Sequence, residues 1–231
     1  MKIHNLEEIE FFYTKFAYNR NVLTPRFDTE SLVREAISLI KKEQINTLID
    51  VGFWSGIIPI SIWKNTKLDK IIAIDKSKKA LKIAKLNSQK NKVLIDFLEW
   101  DLLKPFLDKK NHNNIVISSS IPVISSLSRN LLITANLPYI KNEDRINMSS
   151  DTRFEPKMAL FWGKQTWFEL YERFFRQVLK FAKIYDNKTY LLCEIWFDQK
   201  EVAQKFLTKL GFNFSFFPDL MWVERFIKIK L

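Results

Sequence analysis

Four short apolar runs, each with an acid or an amide at or next to its end, constrain this chain more than any other feature. They are Asn46–Val51 with Gly52 at its end, Lys70–Asp75, Val93–Leu98 followed by Glu99-Trp100-Asp101, and Leu131–Asn136. Runs this short and this apolar read as buried strands, and helical patterns at Ile57–Lys64 and Lys78–Lys90 separate the first three. Strands alternating with helices predict a parallel sheet in which each polar closing residue stands at a strand's carboxyl end. In an open sheet of this kind that edge is where ligands bind. Downstream, a helix over Phe168–Lys183, a strand over Lys188–Phe197, a helix over Gln199–Leu210 and an antiparallel pair, Phe212–Phe217 with Arg225–Lys230, complete the pattern. The expectation is a seven-stranded, mostly parallel α/β sheet with helices on both faces.

The closing residues also carry chemistry. Asp50-Val51-Gly52-Phe53-Trp54-Ser55-Gly56 leads from a strand through a glycine-bearing turn into a helix whose first amides face outward, the opening unit of a nucleotide-type site. Asp75 stands 25 residues after Asp50, a spacing suited to a carboxylate that accepts hydrogen bonds from both ribose hydroxyls. Asp101 closes the third strand, where it can meet an adenine amino group, with Leu102 beside it. Each acid alone is equally a helix cap, but three in register at successive strand ends favour a ligand site. The fourth run ends in Asn136-Leu137-Pro138-Tyr139. Pro138 stops the strand because it has no N–H for the ladder. A side-chain amide oxygen, two backbone carbonyls and an aromatic ring can together hold a planar NH2 group, as methylation of an amide or aromatic amine requires. A strand-terminating turn with a buried tyrosine is the plainer alternative.

Other features narrow the class. The N-terminus has no signal-peptide core and no stretch approaches the roughly 18 apolar residues of a membrane span, so a cytoplasmic protein is expected. Cys193 is the single cysteine and His4 and His112 are the two histidines, so neither a disulfide nor a Cys/His metal site is expected, and Cys193 reads as a core residue. The net charge of +11 permits an RNA partner. It is not favoured, because the lysines are spread along the whole chain and form no arginine-rich run. Residues 1–24 read as an N-terminal extension, with a short hairpin over Ile9–Thr24 whose two runs are separated by Asn19-Arg20-Asn21, and residues 25–231 as one domain; a monomer is expected. Asp28 or Thr29 is placed to cap the helix that carries Leu32, Val33, Ala36, Ile37 and Ile40.

Together these residues resemble a known family. The Asp50–Gly56 turn, Asp75, Asp101 and Asn136-Leu137-Pro138-Tyr139 are similar to the S-adenosylmethionine motifs and the Asn-Pro-Pro-Tyr signature of the Rossmann-like class I amino-methyltransferases. Leu23-Thr24-Pro25-Arg26-Phe27-Asp28-Thr29-Glu30 and Phe154-Glu155-Pro156-Lys157-Met158-Ala159-Leu160-Phe161-Trp162-Gly163 resemble segments of the glutamine methyltransferases of peptide chain release factors, the HemK/PrmC family. The resemblance implies S-adenosyl-L-methionine as cofactor, held by Asp50, Gly52, Phe53, Trp54, Ser55, Gly56, Asp75, Asp101, Leu102 and Asn136. It implies a release factor as partner, with N5-methylation of the glutamine of its Gly-Gly-Gln loop. Asn136, Leu137, Pro138 and Tyr139 would be the catalytic residues, and Glu155 and Pro156 would support the substrate.

Departures from the pattern keep two alternatives open. With Arg26 so near the start, the family's N-terminal helical domain is expected to be missing; residues 108–129 read as a long link, and Leu137 replaces the first proline, as in ribosomal RNA adenine dimethyltransferases. An adenine N6-methyltransferase on RNA or DNA is one alternative; a catalytically decayed binding protein on the same fold is the other. The last departure is compositional: 4 glycines stand beside 7 tryptophans, where average usage would give roughly 16 glycines in 231 residues. Trp54, Trp162, Trp167, Trp196 and Trp222 fall where the resemblance places glycine, and Trp63 and Trp100 tolerate it. Trp54 is the sharpest case, because its turn calls for a positive φ and close approach of a ligand to the backbone. A gene that uses UGA as a glycine codon, read as tryptophan, accounts for all seven; true tryptophans in a decayed site are the alternative.

Overall fold

The computed structural model describes residues 6–107, 130–138, 168–185 and 188–231. A hairpin of β1 (Glu7–Phe11) and β2 (Thr14–Tyr18) comes first, and it turns at Phe12-Tyr13, both at positive φ, rather than at the expected Asn19-Arg20-Asn21, which follows β2. Then follow α1 (Thr29–Glu43), β3 (Thr47–Val51), α2 (Ile57–Lys64), β4 (Lys70–Asp75), α3 (Lys78–Lys90), β5 (Asp96–Glu99) and the short α4 (Lys104–Leu107). The second half holds β6 (Asn130–Asn136), α5 (Glu169–Tyr185), β7 (Lys188–Glu194), α6 (Lys200–Lys209), β8 (Asn213–Pro218) and β9 (Glu224–Lys230). Seven strands make one sheet in the order β5-β4-β3-β6-β7-β9-β8. The first five run parallel, and β9 is antiparallel to both of its neighbours.

The expected α/β fold is present, with helices on both faces of the sheet. Every residue of β3 is buried, and so is every residue of β6 after Asn130, as covering both faces of a central parallel strand demands. The third strand is shorter than expected: pairing with β4 starts at Asp96, so Val93–Ile95 lead into it rather than belong to it. On the opposite flank, α5 buries Leu170, Tyr171, Phe174, Phe175, Val178 and Phe181 along one side, the 3.6-residue period legible in its sequence. Cys193 lies fully buried on β7. None of the described helices is long and apolar enough to cross a membrane.

The capping expectation for α1 is corrected. Asp28 occupies the N-cap position but makes no side-chain cap bond. Its carboxylate instead takes Arg225, 2.9 Å away on β9, and the Thr29 hydroxyl donates to Glu194 at the end of β7. Both side chains tie the helix start to the far half of the sheet. The hairpin is tied down as well. Asn87 of α3, fully buried, accepts from the Ala17 N–H and donates to the carbonyls of Ala17 and Ser55, each at 2.8 Å. One amide thus joins the hairpin to the turn between β3 and α2.

The order of the strands decides where a ligand sits. From β3 the chain steps outward through β4 and β5, then returns to lay β6 on the other side of β3 and steps outward through β7. The two central strands β3 and β6 flank the point at which the direction reverses, and a crevice opens there.

Candidate active site

A cleft of about 670 Å³ lies at that point. Its walls include Gly52, Trp54, Asp75, Asp101, Leu137 and Pro138, which come from the carboxyl ends of four successive sheet positions. Val51 pairs with Ala135, so Gly52 faces Asn136 across the strand boundary. Gly52 has φ +80°, and a Cβ there would lie 3.1 Å from Leu137 Cδ2 and 3.4 Å from the Asn136 carbonyl oxygen. The first glycine of the turn therefore lets the two motifs touch.

Asp75 ends β4 inside the cleft. Its carboxylate accepts from the backbone N–H of Trp54 at 3.2 Å and of Ser77 at 2.8 Å. Burial pushes its pKa up to about 6, against the opposing pull of these backbone donors. Asp50 behaves differently. It is fully buried, one oxygen accepts from the Thr134 hydroxyl at 2.6 Å, the other has no partner, and burial raises its pKa to about 7. Asp50 does not line the cleft, nor do Phe53, Ser55, Gly56 and Asn136; Asn136 lies buried directly behind Leu137 and Pro138, which do. Phe53 packs edge-on against Phe97.

Asp101 and Leu102 do line it, but Asp101 is engaged by cations, at 2.7 Å to Arg173 and 2.8 Å to Lys104. An unengaged acid for an adenine amino group is thus replaced by an ion pair on the cleft wall. Trp54 adopts φ 49° in the turn, against the expectation that an indole would not take that conformation, and its indole N–H donates to the Asn136 carbonyl at 2.8 Å.

Asn136 is buried, and its amide is oriented by its surroundings. The Nδ2 donates to Glu194 Oε2 at 2.9 Å, with the Thr29 hydroxyl oxygen 3.4 Å away, while Oδ1 has no partner. The Tyr171 hydroxyl accepts from the Leu137 N–H at 3.1 Å and donates to the Glu194 carbonyl. Sequence reasoning missed Glu194, Tyr171 and Arg173, and it missed Arg20 and Asn21, which bring the hairpin into the cleft wall. For Glu194 a signal existed: it too is a polar residue closing an apolar strand, in register with Asn136. Tyr139, Glu155 and Pro156 lie outside the described residues, as does the 108–129 link.

Residues 28–130 match the family model described as methyltransferase small domain. Three curated relatives carry the name release factor glutamine methyltransferase. The protein of Bacillus subtilis is 29% identical over 87% of this chain, that of Dictyoglomus turgidum 28% over 97%, and that of Fusobacterium nucleatum 30% over 90%. The chain is thus similar to release factor glutamine methyltransferases over most of its length. It spans 64%, 73% and 53% of the lengths of these three relatives.

Solved structures extend the likeness at the level of fold. A ribosomal protein L11 methylase from Lactobacillus delbrueckii has a TM-score of 0.55 at 15% identity, covering 90% of this chain and 80% of its own. The hMettl16 catalytic domain, solved with an RNA hairpin, has a TM-score of 0.62 at 12% identity, covering 91% of this chain and 72% of its own. A methyltransferase complexed with SAH scores 0.62 at 10% identity over all of this chain and 57% of its own. S-adenosylmethionine is the cofactor that the methyltransferase match supports, and the groups at the switch point fit it. A glycine at positive φ leaves room for close approach, and a buried carboxylate at the end of β4 faces the cleft.

Proposed function

We propose that this chain methylates the N5 of the glutamine in the Gly-Gly-Gln loop of a peptide chain release factor. The observation that carries the reading is the Asn136 amide, whose Nδ2 is committed to Glu194 while Oδ1 is left without a partner beside the Leu137-Pro138 turn. The names of the curated relatives support the acceptor. On this reading residues 25–231 are the methyltransferase domain and residues 1–24 an extension that contributes to the cleft wall.

When bound, S-adenosylmethionine supplies an electrophilic methyl group on a sulfonium sulfur. Asp75 would accept the ribose hydroxyls, the Gly52 backbone would give the cofactor room, and Asp101 with Arg173 would stand on the adenine side of the cleft. A primary amide is a weak nucleophile because its nitrogen lone pair is conjugated to the carbonyl. Asn136 Oδ1 and the Leu137 carbonyl each accept one of its two N–H groups and aim the nitrogen at the methyl. Catalysis is then chiefly positioning and electrostatics. The nitrogen loses its proton after transfer, when the methylated amide is strongly acidic, so no residue of raised basicity is needed. Tyr139 would pack on the amide plane, and Glu155 and Pro156 would support the substrate loop; these three roles rest on the family resemblance.

The test is incubation with methyl-labelled S-adenosylmethionine and either a release factor or ribosomal RNA. Label on the loop glutamine is expected. Label on RNA alone, or on neither, would overturn the reading. In the same assay Asn136→Ala is expected to lose methyl transfer by roughly a hundredfold with nearly normal cofactor binding, since it removes an orienting contact.

A further inference from the structure

We propose that Glu194 and Thr29 are positioning residues that lock the Asn136 amide in its working orientation. The proposal deepens the function given above and rests on it. An asparagine amide has two orientations of almost equal shape, and only one turns an acceptor to the substrate. In the other, its NH2 would face the NH2 of the substrate and repel it. The pocket around Asn136 removes this ambiguity. Glu194 Oε2 at 2.9 Å is an acceptor only, so the amide nitrogen must face it. The Thr29 hydroxyl has one proton, which it donates to the same carboxylate oxygen at 2.7 Å, so toward Asn136 at 3.4 Å it also presents a lone pair. Two acceptors meet the nitrogen side, and Oδ1, buried like them, is the atom left without a partner.

All three side chains are nearly water-free, at 3%, 1% and 1% exposure for Asn136, Glu194 and Thr29, so water cannot take over either role. The arrangement gives Thr29 and Glu194, one at the start of α1 and the other at the end of β7, a shared task. Tyr171 extends it to the backbone, because its hydroxyl bridges the Leu137 N–H and the Glu194 carbonyl.

The test starts from structure and then turns to rate. In the isotope-labelled protein, NMR is expected to show a scalar coupling across the bond from Asn136 Nδ2–H to the Glu194 carboxylate; its absence overturns the proposal whatever the acceptor is. In Glu194→Gln the new amide can donate to a flipped Asn136. A tenfold or greater loss of kcat is expected, with S-adenosylhomocysteine affinity and KM for the cofactor unchanged. Thr29→Ser is expected to restore what Thr29→Ala loses. A kcat within twofold of the parent, or a parallel loss of cofactor affinity and melting temperature, would show a merely structural role. These rates are read on whichever acceptor the parent protein methylates, so failure of the release-factor reading remains separate from failure of the lock.

A second inference has an independent origin in backbone geometry. We infer that the functional protein carries glycine at positions 54 and 222, and with them at the other five tryptophans. Trp54 has φ 49° and Trp222 φ 63°, so two of the seven non-glycine residues with positive φ among those described are of a type that supplies 7 of 231 residues. A left-handed conformation brings the Cβ of an L-residue against the neighbouring carbonyl, and glycine, without a Cβ, adopts it freely. Trp222 sits in the Asp219–Val223 turn at 86% exposure, where no packing offsets that clash. Trp54 stands between Gly52 and Gly56, both at positive φ, and its indole N–H occupies the Asn136 carbonyl at the cleft. A single UGA codon read as glycine explains both positions and the scarcity of glycine in the chain.

The gene decides the matter without reference to activity. UGA codons at 54 and 222, and native peptides with the mass of glycine there, are expected; UGG codons or tryptophan-mass peptides would overturn the inference. As a consequence Trp54→Gly should bind S-adenosylhomocysteine at least tenfold more tightly than the tryptophan form. Equal or weaker binding counts against a glycine at 54.

Discussion

Asp50→Asn offers a direct test of how the sheet centre is built. Asp50 is fully buried beside one hydroxyl, and its carboxyl holds a proton up to about pH 7 in the fold, against an ordinary value of 3.8. The cause is first burial, opposed by the Thr134 hydrogen bond, with the nearby Asp75 charge adding to the rise. The sign follows from linkage. Between pH 4 and pH 7 the native state binds this proton and the unfolded chain does not, so the group's contribution to stability falls as pH rises through the window and is flat above it. A shift of about 3 units at 1.36 kcal/mol each puts the full cost of the buried charge at roughly 4 kcal/mol above pH 7, of which about 2 kcal/mol develops between pH 5 and pH 8. Asparagine keeps an acceptor for Thr134 and never ionises, but it places an NH2 group where the unpartnered oxygen stood, at a cost of about 1–3 kcal/mol. The variant is therefore expected to be close to the parent or weaker at pH 5 and more stable than it at pH 8. Urea denaturation of the cofactor-free proteins at fixed ionic strength measures both. An identical stability difference at the two pH values would refute the buried-charge account.

Three further outcomes are expected. Gly52→Ala should lose about 1–3 kcal/mol of stability in thermal melts, because it combines a φ of +80° with a 3.1 Å contact on Leu137; a change below about 0.5 kcal/mol would show that the turn relaxes freely. Asp75→Asn should weaken S-adenosylhomocysteine binding by about 2–3 kcal/mol in calorimetry, and unchanged affinity would remove Asp75 from the ribose. Arg173→Gln should alter stability by less than about 1 kcal/mol, because its ion pair with Asp101 is partly solvated, and a larger loss in denaturation would place the pair in the structural core.

What the sequence made legible followed from local pattern. Period-2 and period-3.6 spacing, and polar residues closing apolar runs, gave the strand and helix order and placed Asp75 and Gly52 at the cleft. Partner choices at long range were hidden. Asp28 caps nothing because Arg225, which is 197 residues away, claims its carboxylate. Asp101 meets Arg173, which is 72 residues away. Pairing of Asn136 with Glu194 depends on the register of β6 against β7, which no local spacing encodes. Asp50 looked like a cofactor ligand by position alone, and only its dry surroundings reveal a group whose charge is costly.

The placement of Gly52 and Asn136 at the ends of adjacent central strands has a consequence for which parts of the molecule can vary. Their relative position is fixed by the ladder between β3 and β6, strands buried on both faces and expected among the last to open. Rim segments outside that ladder can change without shifting the two residues against each other. The shape of the cleft mouth is then free to differ while its floor stays the same.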